Sequence, residues 1–221
     1  MSVIKNWYNL APNPIKPYIH SIVDKLGLGA HTELIFSSAL RDQGWFKSYR
    51  TAPVNEHGQP IPWLPYCFID FLSPRLDDEW EIFEYGSGNS THYFADRVNR
   101  IVAVESDKHW YDRVSGQSKD NENIIFREQT AHAEAIDDFE NFDIIVIDGE
   151  QRIECAKKAV THLSSGGVII WDDTFRSEYQ PGIDYLVDRG FSQISFAGMA
   201  PVNAQKKQTS VFYRQDNCLN I

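Results

Sequence analysis

The sequence predicts an α/β fold built on a mostly parallel sheet. Three observations carry this. From about Trp80 onward, short β-branched runs alternate with helical patterns, the arrangement that produces βαβ units. Several of these runs are almost continuously apolar, as strands covered on both faces must be. The last two runs are joined by about ten residues, too few and too polar for a crossover helix, so they pair antiparallel.

In chain order the strands are 81–86 (EIFEYG), 100–106 (RIVAVES), 123–129 (NIIFREQ), 142–149 (FDIIVIDG) and 167–173 (GVIIWDD), then 191–198 and 208–214. Between the fourth and fifth, Ile153, Ala156, Val160 and Leu163 recur at spacings of three and four. That spacing places them on one helical face, with Gly166-Gly167 as the stop. Another helix is expected around 180–189. The chain before residue 66 is different: Pro12, Pro14, Pro17, Pro53, Pro60, Pro62 and Pro65 all fall there. Ile15, Ile19, Ile22 and Leu26 form one stripe of a helix, started near Pro17 and ended by Gly27 and Gly29, that either packs on the domain or serves as a membrane-surface or dimer helix. The run 44–66 is more aromatic than a linker needs. Trp45, Phe46, Tyr49 and Trp63 either line a lid or dock on the sheet.

Composition narrows the function. With 221 residues, 42% hydrophobic, including 6 Trp, 10 Tyr and 13 Phe, the chain has a substantial core and is not a disordered protein. A formal net charge of −10 opposes a surface that neutralises phosphates, so no nucleic-acid partner is expected. No apolar run reaches about 18 residues, so no membrane span is expected. Cys67, Cys155 and Cys218 have no metal-site spacing and cannot all pair, which favours a reducing, cytoplasmic setting.

The first strand runs into Glu84-Tyr85-Gly86-Ser87-Gly88-Asn89-Ser90-Thr91. Gly86 and Gly88 allow a tight turn and close backbone approach to a ligand, and Ser90 or Thr91 can cap the helix that follows. Glu105 ends the second strand, about 19 residues beyond Gly86, where an acidic side chain accepts hydrogen bonds from both ribose hydroxyls. The loop lacks the last glycine of a pyrophosphate-binding turn, and Glu84 and Asn89 are poor company for a phosphate. A cationic, phosphate-free nucleoside suits it better.

This pattern, together with the hairpin ending, resembles the class I S-adenosylmethionine-dependent methyltransferases, except that Ser90 stands where the family's motif has its third glycine. The resemblance covers about residues 80–214. It implies a Rossmann-like, seven-stranded, mostly parallel sheet with a C-terminal antiparallel hairpin and helices on both faces. It also implies S-adenosylmethionine as cofactor, bound by Glu84, Gly86, Ser87, Gly88, Ser90, Thr91, Glu105, Ser106, Ala131, His132 and Asp148. The chain then divides into an accessory segment (1–79), the methyltransferase domain (80–214) and a flexible tail (215–221).

Three more carboxylates fall at strand ends, where open α/β sheets bind ligands: Asp148, and the pair Asp172-Asp173. Clustered without compensation they would repel, and Mg²⁺ or another divalent cation would relieve this. The arrangement resembles metal-dependent O-methyltransferases of the catechol and macrocin types. That makes Asp148, Asp172 and Asp173 candidate metal ligands and Asp148 a candidate catalytic residue. Catechol-type enzymes place a lysine base where this chain has Gln151, so no base is carried over. Arg152, Arg176, Tyr179 and Trp63 are candidates for holding the acceptor. The expected reaction is methyl transfer to an oxygen of a small molecule or sugar. Two rivals are an aminopropyltransferase on the same fold and a non-catalytic protein that binds the cofactor or a partner. The oligomeric state is left open.

Overall fold

A computed structural model describes Ser21 and residues 23–221. Seven strands form one sheet: β1 (Glu81–Tyr85), β2 (Arg100–Glu105), β3 (Glu122–Phe126), β4 (Phe142–Ile147), β5 (Leu163–Asp172), β6 (Ser192–Met199) and β7 (Lys206–Tyr213). Their spatial order is β3-β2-β1-β4-β5-β7-β6. Strands β1 to β5 pair parallel, and β7 pairs antiparallel with both β5 and β6. After β3 the chain returns across the sheet to lay β4 beside β1. That reversal opens a crevice beyond the carboxyl ends of β1 and β4.

Alternation along each strand divides the apolar side chains between the two faces. Phe83, Tyr85, Ile145, Ile147 and Trp171 project to one side. They meet Ala156 and Ala159 of a helix at Arg152–Ala159, and Ile183 and Leu186 of another at Gln180–Asp188. Ile82, Ile144, Val146 and Ile170 face the other side. There they pack on Phe68 and Leu72 from the helix Tyr66–Leu72, and on Phe94 from the helix Asn89–Ala95. In chain order the helices are α1 (Gly29–Ser37), α2 (Ala39–Asp42), α3 (Trp45–Ser48), α4 (Tyr66–Leu72), α5 (Asn89–Ala95), α6 (Lys108–Ser115), α7 (Arg152–Ala159) and α8 (Gln180–Asp188). Edge strand β6 carries Ser192, Gln193 and Ser195 exposed, a polar rim that discourages edge-to-edge pairing. Among the described residues no helix is long and apolar enough to cross a membrane.

Several local expectations change. Helix α7 ends at Ala159, and Leu163 already belongs to β5. Gly166-Gly167 therefore lie inside that strand, where its pairing with β4 shifts register between Phe142 and Ile144. The link between β6 and β7 is residues 200–205, shorter than the sequence implied. Residues 215–221, expected as a flexible tail, pack on the core. Asn217 and Leu219 are buried, and Cys218 N donates to Gly166 O at 2.8 Å. Of the predicted N-terminal stripe, Ile15, Ile19 and Ile22 lie outside the described residues. Leu26 is 66% exposed instead of packed.

The aromatic segment is stitched to the domain at several points. Trp45 Nε1 donates to Asn203 O at 3.0 Å and Arg50 N to Val202 O at 2.8 Å, both in the β6–β7 turn. Asn89, at the start of α5, donates its side-chain amide to Pro53 O at 2.6 Å. The segment thus bridges the glycine loop and the C-terminal hairpin.

The buried state of the C-terminal residues makes a direct prediction. Replacing Leu219 with alanine will lower the unfolding free energy by about 2–5 kcal/mol, the range for a fully buried leucine. Urea denaturation measures it, and an unchanged midpoint would mean that these residues do not pack.

Candidate functional site: an acidic crevice at the strand reversal

The crevice is a cavity of about 280 Å³, near the lower end of ligand pockets, roughly 300–1,000 Å³. Its wall begins with the turn after β1. Gly86 has φ +101, and its Cα lies against the backbone of Asp148 and Gly149, where an added Cβ would sit 3.4 Å from Asp148 C. Gly149 is under a stricter constraint. A Cβ there would come within 2.4 Å of His132 Nε2 and 2.9 Å of Gly86 N. The ends of β1 and β4 therefore approach as closely as glycine permits.

Glu105 is fixed by three donors. Its Oε1 accepts from Ser106 N (2.8 Å) and Asp107 N (2.9 Å), and its Oε2 accepts from Ser87 Oγ (2.9 Å). The last bond ties the glycine loop to the end of β2. Trp110 of α6 adds a second tie, donating Nε1 to Ser87 O at 2.8 Å, with its ring 3.7 Å from where a Gly88 Cβ would stand. Thr91 Oγ1 donates to Glu84 Oε2 at 2.6 Å and accepts from Gly88 N at 3.0 Å. Ser90 lines the cavity beside Glu84.

Glu84 is 1% exposed. Burial, followed by the nearby Asp148 and Glu105 charges, raises its carboxyl pKa to about 8 against the pull of Ser90 and Thr91. His132 is also buried, packed on the Tyr85 ring at 5.6 Å, and neither ring nitrogen has a hydrogen-bond partner. Desolvation lowers its pKa to about 4, so the ring is neutral near pH 7. A buried carboxyl short of a positive partner and a neutral, unpartnered imidazole in one cavity fit a ligand with both a cationic group and a heterocycle.

Of the predicted cofactor residues, the structure brings Glu84, Gly86, Ser87, Ser90, Glu105, Ser106, His132 and Asp148 onto one cavity wall. Gly88 and Thr91 support the wall from behind, and Ala131 is exposed outside it. Asp107 and Trp110, absent from the sequence-derived set, flank it. Asp107 also caps α6, accepting from Trp110 N at 2.8 Å. An Asp three residues before a tryptophan, just after a strand, was a readable capping signal.

The carboxylates at the ends of β4 and β5 depart from expectation. Asp148, Asp172 and Asp173 do converge, but each has a cationic partner. Arg152 Nη2 lies 2.9 Å from Asp148 Oδ1, and Arg176 Nη2 2.6 Å from Asp173 Oδ2. The fully buried Asp172 is ion-paired with Lys207 of β7. Among the described residues no group of three or more Asp, Glu, His or Cys side chains is arranged to hold a metal. The predicted metal set Asp148, Asp172 and Asp173 therefore does not fit a divalent ion as folded, because one oxygen of each carboxylate is held by a protein cation and the other Asp172 oxygen accepts from Thr209. Arg152 likewise is no free acceptor-binding group. It donates to Gly149 O, Asp172 O and Asp148 O as well as to Asp148 Oδ1. Tyr179 packs on Trp171 (5.8 Å) beneath Arg152. Trp63 is 40% exposed, with the Lys207 ammonium 5.0 Å from its ring centroid. Gln151, in the left-handed region at φ +48, accepts from Ala133 N at 3.1 Å.

Glu84 yields a pH prediction. Its folded pKa, about 8, lies above the ordinary carboxylate value, so its protonated form stabilises the free protein. That contribution is complete below about pH 4.3 and is lost as pH rises through about 8. The melting temperature should fall across this window, and less so in E84Q. A ligand ammonium beside Glu84 would favour the ionised carboxyl, so binding a cationic ligand there at pH 7 should release a proton. Calorimetry in buffers of different ionisation enthalpy detects the release, and E84Q should abolish it.

No family model matches the sequence, and no curated protein matches it. Solved structures do share the architecture. An rRNA methylase from Streptococcus thermophilus superposes with TM-score 0.52 at 17% identity, covering 68% of this chain and 96% of that one. A precorrin-6y C5,15-methyltransferase from Geobacter metallireducens gives 0.55 at 18% identity, over 66% and 86%. The N-methyltransferase NodS from Bradyrhizobium japonicum gives 0.51 at 12%, over 67% and 92%. With its seven strands in the order β3-β2-β1-β4-β5-β7-β6, the chain has the Rossmann-like fold of the class I S-adenosylmethionine-dependent methyltransferases.

Proposed function

We propose that the protein transfers a methyl group from S-adenosylmethionine to an oxygen of a small molecule or sugar. The observation that supports it most is Glu105, held by three donors at the end of β2 across the same cavity from the buried Glu84. One carboxylate is aimed for a ribose and the other is short of a positive partner. The cofactor, when bound, supplies an electrophilic methyl on a sulfonium centre. Glu105 accepts the ribose hydroxyls, Glu84 holds the ammonium, and neutral His132 offers a ring nitrogen to the heterocycle. The acidic wall also favours the sulfonium charge.

Asp148 lines the cavity with its side chain 34% exposed, while Arg152 grips one of its oxygens. Asp148 orients an acceptor hydroxyl for in-line attack. Trp63 and the aromatic segment, tied to the glycine loop and the β6–β7 turn, border the acceptor side. Arg176 pairs with Asp173 and Tyr179 packs on Trp171, which holds the loop after β5. A small acceptor accords with the net charge of −10, which disfavours a polyanion. Three free cysteines accord with a reducing, cytoplasmic setting.

S-adenosylhomocysteine should bind with micromolar affinity. E105A should weaken it by about 10–100-fold, the loss of hydrogen bonds to a charged group, with no loss of fold by circular dichroism. D148N should lower kcat by about 100-fold, within the range for a positioned carboxyl, and leave S-adenosylhomocysteine affinity nearly unchanged. Incubation with methyl-labelled S-adenosylmethionine and a panel of hydroxylated small molecules, amines and RNA assigns the acceptor. Label on RNA, or aminopropyl transfer from the decarboxylated cofactor, would replace this reading. No binding in any buffer would end it.

A further inference from the structure

The carboxylate cluster at the ends of β4 and β5 is faced by the protein's own cations. Asp148, Asp172 and Asp173 bring three negative charges, and Arg152, Arg176 and Lys207 face them with three positive ones. Arg152 also lies 3.8 Å from Asp173 Oδ2 and donates to the Asp172 carbonyl at 2.8 Å, so it spans the ends of β4 and β5. Lys207 reaches in from β7. Its ammonium meets the buried Asp172, donates to Trp63 O at 2.8 Å, and lies 5.0 Å from the Trp63 ring centroid. The other Asp172 oxygen accepts from Thr209 Oγ1.

Mg²⁺ requires near-octahedral oxygens at about 2.0–2.1 Å. Here one oxygen of each carboxylate is turned toward a guanidinium or ammonium group instead. An isolated Asp172 at 0% exposure would be strongly unfavourable, so the lysine is needed for the fold to keep that carboxylate buried.

We infer that Lys207, with Arg152, is the built-in counter-cation of this cluster, and that the cluster binds neither Mg²⁺ nor Mn²⁺. Lys207 is a positioning residue: it holds Asp172 at the sheet end and draws the backbone at Trp63 toward it. The inference concerns the cluster alone and is independent of the methyl acceptor.

Mn²⁺ titration followed by electron paramagnetic resonance tests it on the wild type, K207Q and the K207Q/D172N double variant, with folding checked by circular dichroism. The wild type should show no site tighter than about 1 mM, the weak end of protein sites for hard cations. K207Q should gain one Mn²⁺ site at least about tenfold tighter, lost again in the double variant. A submillimolar wild-type site that D148N removes would overturn the inference, as would a folded K207Q that gains no affinity. If K207Q does not fold, recovery of folding in the double variant supports the charge-pairing role. Failure of both variants to fold would overturn it.

Discussion

The contact between the end of β1 and the end of β4 is the constraint from which the site follows. Parallel pairing of Glu84 with Val146 and Tyr85 with Ile147 is extended by Asp148 N donating to Tyr85 O at 3.0 Å. This brings the turn at Gly86 against Gly149 with no room for a side chain at the second position. Because β2 lies on the far side of β1, Glu105 and Asp148 end up on opposite walls of one crevice. Buried Val, Ile and Phe on both faces hold the strands in this register, since a slip of one residue would turn Glu84 and Phe83 to the wrong sides.

Charge is distributed unevenly around that crevice. On the cavity side Glu84 is buried without a cation and carries a raised pKa. Asp148 on the cavity wall, and Asp172 and Asp173 at the end of β5, are each matched by a cation. Strain gathers at the same place: Gln151 and Asp173 both occupy the left-handed region without being glycine, a cost that recurs at functional sites.

The C-terminal hairpin has more than an architectural role. It closes the sheet edge, delivers Lys207 to the end of β5, and offers the carbonyls of Val202 and Asn203 to the aromatic segment. Through these bonds the part of the chain that precedes the domain is registered against its last strands. Residues 217–221 are likewise anchored at Gly166.

The sequence by itself determined the fold class, the strand order of appearance and the glycine loop with its acidic partners. These depend on local periodicity, on turn residues and on the spacing between Gly86 and Glu105. It misjudged Gly166-Gly167 because a glycine pair marks a helix stop and a strand irregularity equally well. It took residues 215–221 for a tail because a short polar segment does not disclose that Leu219 finds a cavity. The carboxylates Asp148, Asp172 and Asp173 were readable as neighbours, since all three end adjacent strands. Their partners were not. Lys207 lies 35 residues beyond Asp172 in the chain, and only the antiparallel register that sets Asp172 opposite Thr209 brings them together. Side-chain pairing across a sheet is a property of that register and of burial, so tertiary structure alone decided whether the acidic cluster faces a metal or its own cations.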